Sequence, residues 1–363
     1  MKKLIMLMVT LMLLQLPAVA KTEFTYVDAS NFGVINKGMD DGKKFNRLDI
    51  SKYPGLTERM RQYFTFPTGI AVRFRTNSPV IRAIWEVPDT MQRTNGPALA
   101  TKGLDLYIRD TQNNKWLWAG CAMPKYLGKK YSATIVEDME PGMKECMLYL
   151  PLFQEVRDLK IGVEKGSVIE SDPAFKPAKI VAMGSSFTHG ASASRPGMAW
   201  PQQLSRMLDM DIVNYGTSGI CKMEPVLADI IADTDADIFI FDTFSNPSAK
   251  EVHERFAPFV KRIREKHPNT PLVFLHTFYR ENGNFNLKKR QYELDRTAAA
   301  EEELAKVMKT DKNIYYLNPG LYAGDDHEST CDGTHPSDLG YQRAAVNIAE
   351  KIRPILKKYN IKK

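Results

Sequence analysis

Two different rhythms of apolar and polar residues divide the chain. Over residues 21–175, short apolar or alternating runs recur at 69–74, 80–85, 104–108, 116–118, 146–150 and 159–163, with turn residues such as Asn77-Ser78-Pro79 and Asn113-Asn114 between them. Many short strands punctuated by turns predict an all-β sandwich or jelly roll. After Glu170-Ser171-Asp172-Pro173-Ala174-Phe175-Lys176-Pro177 the period changes. Apolar runs of four, at 180–183, 212–215, 238–241, 272–275 and 314–317, alternate with helical stretches near 199–208, 224–232, 249–266, up to about 309, and 339–358. Strands apolar on both faces and separated by helices predict a doubly wound, flavodoxin-like parallel sheet in an α/β domain over 176–363. In such a sheet, ligands bind beyond the carboxyl ends of the strands.

The first twenty residues follow neither rhythm. Lys2 and Lys3, an apolar run from 4 to 16 and the small-residue ending Ala18-Val19-Ala20 read as a secretory signal peptide cleaved near Ala20. The expectation is a secreted or periplasmic protein with no integral membrane segment in its mature chain. Without Lys2 and Lys3 the formal charge falls from +7 to +5, and no lysine/arginine block resembles a nucleic-acid tract. Nucleic acid is therefore not an expected partner. The four cysteines (Cys121, Cys146, Cys221, Cys331) lack metal-ligand spacing. A Cys221–Cys331 bridge is conceivable in an exported chain, but free thiols are the favoured reading.

Chemistry-bearing residues cluster just after the strand-like runs of the second half. Met183-Gly184-Ser185-Ser186-Phe187-Thr188-His189-Gly190 places Ser186 at a strand end among glycines that let a ligand approach closely. Asp332-Gly333-Thr334-His335 puts a carboxylate and an imidazole three residues apart, suited to a general base and the group that orients it. The turns holding Gly219 and Asn246 offer a backbone N–H and a side-chain amide, neutral donors for a developing oxyanion, with the Ser186 N–H as a third. Each alone reads as a turn or helix cap. Four such segments in order after successive strands are a stronger signal.

Together these segments resemble the SGNH/GDSL hydrolases. Gly184-Ser185-Ser186 is similar to the block usually read Gly-Asp-Ser, Gly219 to the second block, Asn246 to the third and Asp332-x-x-His335 to the last. Gly103-Leu104-Asp105-Leu106-Tyr107 resembles the Gly-x-Asp-Leu-Tyr signature of a β domain found ahead of certain family members. Two departures stand out: Ser185 replaces the aspartate, and Ser218-Gly219-Ile220-Cys221 replaces a common Ser-Gly-Asn-Gly. The resemblance implies a serine esterase with the triad Ser186, His335 and Asp332, and an oxyanion hole of Ser186, Gly219 and Asn246. It needs no metal or organic cofactor.

The expected substrate is a small-molecule or carbohydrate O-acyl ester, acetyl foremost, with a lipid ester left open. An acyltransferase using the same acyl-enzyme, or a catalytically silent carbohydrate-binding protein, is the alternative. An α/β-hydrolase fits less well, because Thr188 stands where its nucleophile elbow needs a second glycine. His189, Arg195 and Glu224 are candidate substrate contacts, each weighed against a structural role, and for Arg195 a loop-clamping ion pair is favoured. The stretch 278–286 is a candidate wall of the site. Trp85, Trp116 and Trp118 read as core rather than as sugar platforms.

Overall fold

The computed structural model describes residues 22–40, 42–88, 93–125, 128–172, 178–317 and 324–362. The expected signal peptide and its cleavage point lie outside the described residues.

The first half contributes β1 (Phe24–Asp28), β2 (Gly33–Ile35), α1 (Glu58–Thr65), β3 (Ala71–Thr76), β4 (Ile81–Glu86), α2 (Ala98–Lys102), β5 (Leu104–Asp110), β6 (Lys115–Ala122), β7 (Lys130–Val136), β8 (Lys144–Tyr149), β9 (Asp158–Glu164) and β10 (Ile169–Ser171). Antiparallel pairing builds one sheet in the order β1-β9-β4-β7 and another in the order β10-β3-β8-β5-β6, with β2 also on β3. Period-two burial orients the strands: in β4, Ile81, Ala83 and Trp85 point inward while Arg82, Ile84 and Glu86 are half-exposed. Phe74, Leu106 and Leu148 from one sheet meet Trp85, Leu159 and Ile161 from the other in a sandwich core. The outer face of the second sheet gathers Tyr107, Trp116, Met147 and Tyr149. There the Tyr149 hydroxyl donates to the Gln202 carbonyl of the second half at 3.2 Å.

That half is built from β11 (Lys179–Gly184), α3 (Ser186–His189), α4 (Trp200–Leu208), β12 (Asp211–Gly216), α5 (Pro225–Ala232), β13 (Ile238–Asp242), α6 (Ala249–Arg264), β14 (Leu272–Leu275), α7 (Leu287–Thr310), β15 (Ile314–Leu317) and α8 (Asp338–Lys358). Its sheet has the order β12-β11-β13-β14-β15 and every pair is parallel. Alternate residues face opposite helix layers. Ile180, Ala182, Ile238 and Ile240 pack with Trp200, Leu204, Tyr341 and Ala344 of α4 and α8. Val181, Met183, Phe239 and Phe241 pack with Leu227, Phe256, Ala299 and Leu304 of α5, α6 and α7. This is the doubly wound arrangement that the apolar runs predict. No described helix is long and apolar enough to cross a membrane.

One segment crosses the expected division. Leu48, Tyr53, Leu56, Met60 and Phe64, around α1, pack into the second half's core against Val213 and Leu227 rather than into the sandwich. Fully buried Arg47 anchors them: its Nη1 donates to the carbonyls of Asn214 (2.7 Å) and Gly216 (2.9 Å), and its Nη2 to that of Tyr63 (2.5 Å). Three carbonyls offset part of the cost of burying a cation, yet desolvation still pulls its pKa down to about 9. The two halves are thus joined through a shared core. All four cysteines are free thiols, so no Cys221–Cys331 bridge is present.

Candidate active site

Ser186 opens α3 directly beyond β11. Crowding explains the glycine at the turn: a Cβ at position 184 would lie 2.3 Å from Thr188 Oγ1 and 2.7 Å from Asp242 Cβ. Ser185 caps the helix by accepting from the Phe187 N–H at 3.1 Å. Beneath the turn lies fully buried Asp242, at the end of β13. It accepts from the Ser185 N–H (3.1 Å), the Ser185 hydroxyl (2.7 Å), the Thr188 hydroxyl (3.1 Å) and the Ser245 hydroxyl. Burial pushes its pKa up, and these donors pull it back. The family's carboxylate beside the nucleophile is absent at 185, and a carboxylate from the neighbouring strand braces this turn instead.

The second piece is a closed loop ahead of α8. A bridge between Thr330 and Pro336 and a 2.9 Å bond from the Cys331 N–H to the His335 carbonyl pinch its base. At its tip Asp332 Oδ1 accepts from the His335 N–H (2.7 Å) and the Thr334 N–H (3.0 Å), while Oδ2 lies 2.8 Å from His335 Nδ1. Burial would raise the Asp332 pKa, but the bonds from His335, the charge on that ring and the Asn95 amide hold it down at about 2. The carboxylate is therefore ionised throughout the neutral range and accepts the Nδ1 proton. That leaves Nε2 facing the Ser186 Oγ at 3.0 Å. Sequence positions 149 residues apart thus converge in one continuous hydrogen-bonded chain.

The two remaining candidate donors lie on neighbouring turns. Gly219 is exposed with φ of +77°, a left-handed conformation that disfavours other residues, in the turn after β12. Its N–H has no acceptor among the described residues. Asn246 follows β13, half-buried, and its side-chain oxygen is buried without a partner.

The three candidate substrate contacts have structural partners. His189 is fully buried: its Nε2–H donates to the Leu152 carbonyl (2.8 Å) and Nδ1 accepts from the Ser218 N–H (3.3 Å). Its ring stacks on Phe153 at 4.0 Å, and burial lowers its pKa far enough to keep it neutral. It ties the β half to the Gly219 turn and has no exposed surface with which to meet a substrate. Arg195 is the clamp, donating from Nη1 to Asp105 Oδ2 at 2.7 Å and to the Tyr107 hydroxyl at 2.5 Å. Asp105 also accepts from the Gly197 N–H (2.8 Å) and from Trp118 Nε1 (2.9 Å), so the Gly-x-Asp-Leu-Tyr motif is the socket for the loop 193–199. Glu224 stands at the N-cap position of α5, and its carboxylate accepts from the Lys222 N–H at 2.8 Å, a turn-closing role. Asn282, within the expected wall 278–286, braces the Asp332–His335 loop, donating from its N–H to the Gly333 carbonyl (2.9 Å) and from its amide to the Thr334 hydroxyl (2.7 Å). Trp85 and Trp116 are core, whereas Trp118 is about half exposed (52%) beneath Arg195.

A parallel sheet with a serine, a histidine and a carboxylate assembled beyond its strand ends is the architecture of a serine hydrolase. Residues 177–354 match the GDSL-like lipase/acylhydrolase family, and residues 24–169 match the GxDLY domain, the N-terminus of esterases of the SGNH hydrolase type. A crystal structure described as a GDSL-like lipase from Bacteroides ovatus is 42% identical, covers 94% of this chain and 100% of its own, and superposes with a TM-score of 0.87. The chain belongs to the GDSL-like lipase/acylhydrolase (SGNH) family and is an ester hydrolase of that family. The salicylyl-acyltransferase SsfX3 from a tetracycline biosynthetic pathway shares the fold (19% identity, 92% and 97% of the two chains, TM-score 0.70). So does a family two carbohydrate esterase from Cellvibrio japonicus (12%, 93% and 99%, TM-score 0.61). No curated protein matches the chain.

Proposed function

We propose that the protein is an exported serine esterase that removes an O-acyl group, acetyl foremost, from a carbohydrate through an acyl-enzyme on Ser186. The observation that carries this reading is the unbroken line from Ser186 Oγ to His335 Nε2 (3.0 Å) and from His335 Nδ1 to Asp332 (2.8 Å). In this mechanism Ser186 Oγ attacks the ester carbonyl carbon while His335 Nε2 takes its proton. Asp332 holds the tautomer and offsets the imidazolium charge. The tetrahedral oxyanion is met by the Ser186 and Gly219 N–H groups and the Asn246 amide. Collapse releases the alcohol, which takes its proton from His335. Water activated by the same imidazole then frees the acid and regenerates Ser186.

Export rests on the signal-peptide pattern of residues 1–20. The carbohydrate substrate rests on that export and on an accessory β domain, a layout met in the family two carbohydrate esterase from Cellvibrio japonicus. Hydrolysis of a small chromogenic acetyl ester, with Ser186→Ala as control, tests the chemistry. Equal activity in both proteins would remove the assignment. Acetate release across a panel of acetylated glycans then tests the substrate class. Because SsfX3 carries this fold as an acyltransferase, the same assay with an added alcohol acceptor decides between transfer and hydrolysis.

A further inference from the structure

We propose that Asn95, a residue of the β half, is a positioning residue for the catalytic pair Asp332–His335; the proposal rests on the triad reading above. Its side-chain Nδ2 lies 3.3 Å from Asp332 Oδ2 and 3.4 Å from His335 Nδ1. An ionised carboxylate only accepts, so the amide nitrogen and not its oxygen faces Asp332. The Nδ1 proton is already given to Asp332, so the 3.4 Å approach to His335 is a contact rather than a second bond. The amide therefore contributes a donor to the carboxylate that orients the base, and its positive end faces the ring edge where imidazolium charge develops.

The loop that carries Asn95 is held from the β half. Arg93 pairs with Gly96 across it, and the Arg93 guanidinium covers the Phe153 ring at 4.0 Å. Phe153 in turn stacks on His189 at 4.0 Å. At the other end Pro97 leads into α2, its carbonyl accepting from the Thr101 N–H (3.1 Å) and the Thr101 hydroxyl (3.0 Å). Asn95 thus reaches a partner 237 positions away from a fixed base. By this contact the β half completes the site instead of serving only as an appended binding module.

The charged groups around the pair are Asp332 itself, Asp338 at the start of α8, Asp242 beneath the nucleophile turn, Arg280 over the Phe187 ring and Arg93 at the loop base. Asn95→Ala and Asn95→Asp leave all of them in place. In Asn95→Ala, kcat falls about five- to tenfold with KM unchanged, because the lost donor touches Asp332 and not substrate. Removing a positive dipole end from beside the ring also favours the imidazolium, so the acid limb of the kcat/KM profile moves to higher pH. Asn95→Asp places a second carboxylate there and moves that limb further, by about one pH unit.

The limb position does not depend on how much protein is folded, so partial misfolding cannot imitate it. An unmoved limb in both variants overturns the proposal, whether the rate is unchanged or lowered. The Ser186→Ala control separates the two readings. If it is inactive and the Asn95 variants match the wild type, only the Asn95 role is lost; if it stays active, the triad and the Asn95 role fall together.

Discussion

The clamp between Arg195 and the Gly-x-Asp-Leu-Tyr motif yields a stability test whose magnitude can be worked from its geometry. Asp105 is fully buried, and its carboxylate is held by Arg195 at 2.7 Å, the Gly197 N–H at 2.8 Å and Trp118 Nε1 at 2.9 Å. Removing one partner of a buried ion pair costs about 3–5 kcal/mol, because the other charge is left unpaired. Here Asp105 keeps two donors and the Arg195 side chain is 21% exposed, which places Arg195→Ala near the lower end, about 3 kcal/mol.

Burial already raises the Asp105 pKa, and losing the cation raises it further. An acid whose folded-state pKa is raised costs stability as pH climbs through the shift. The Arg195→Ala penalty is therefore larger at pH 7 than at pH 5. Urea unfolding followed by tryptophan fluorescence at both pH values measures these differences, since Trp116, Trp118 and Trp200 flank the junction of the two halves. An Arg195→Ala protein within about 0.5 kcal/mol of wild type, or a penalty no larger at pH 7 than at pH 5, would overturn this reading of the ion pair.

Two further outcomes follow from the same contacts. Asn246→Ala lowers kcat by about 10²–10³-fold with KM nearly unchanged, the cost of one oxyanion donor, and steady-state kinetics on an acetyl ester checks it. Asp211, at the start of β12, has its pKa pushed up to about 6 by burial, against a bond from the Asn36 N–H. The sign is that of a raised acid: its contribution is complete below about pH 4 and is lost as pH rises through 6. Asp211→Asn, which still accepts from Asn36, gains about 2 kcal/mol relative to wild type between pH 4 and 7 in urea titrations, less than the full shift because the site is partly exposed.

The parallel sheet was legible because strands buried on both faces leave uninterrupted apolar runs such as Ile238-Phe239-Ile240-Phe241, and the helices between them fix the topology. Ser186, Asp332 and His335 were legible because each closes a short motif at a strand or helix end. What the chain hides is contact between distant segments. Around α1, Glu58, Arg59 and Arg61 mask the buried face of Met60, Tyr63 and Phe64, although the spacing i, i+3, i+4 is present. His189 reads as polar, and its burial depends on partners from distant positions, the Leu152 carbonyl, the Phe153 ring and the Ser218 N–H. Asp242 carried a faint signal, the carboxylate missing at Ser185. Asn95, in the run Arg93-Thr94-Asn95-Gly96, carried none beyond that of a turn, because its partner is fixed by how the two halves dock.

The claim on which the rest depends is that Ser186 is the nucleophile of this esterase, activated by His335. Stoichiometric labelling with a fluorophosphonate, followed by peptide mass spectrometry, tests it most directly. One adduct per chain is expected, on Ser186, forming in step with loss of activity and strongly slowed in His335→Ala. Complete inactivation with the adduct on another residue, or full esterase activity in a chain quantitatively labelled at Ser186, would contradict it.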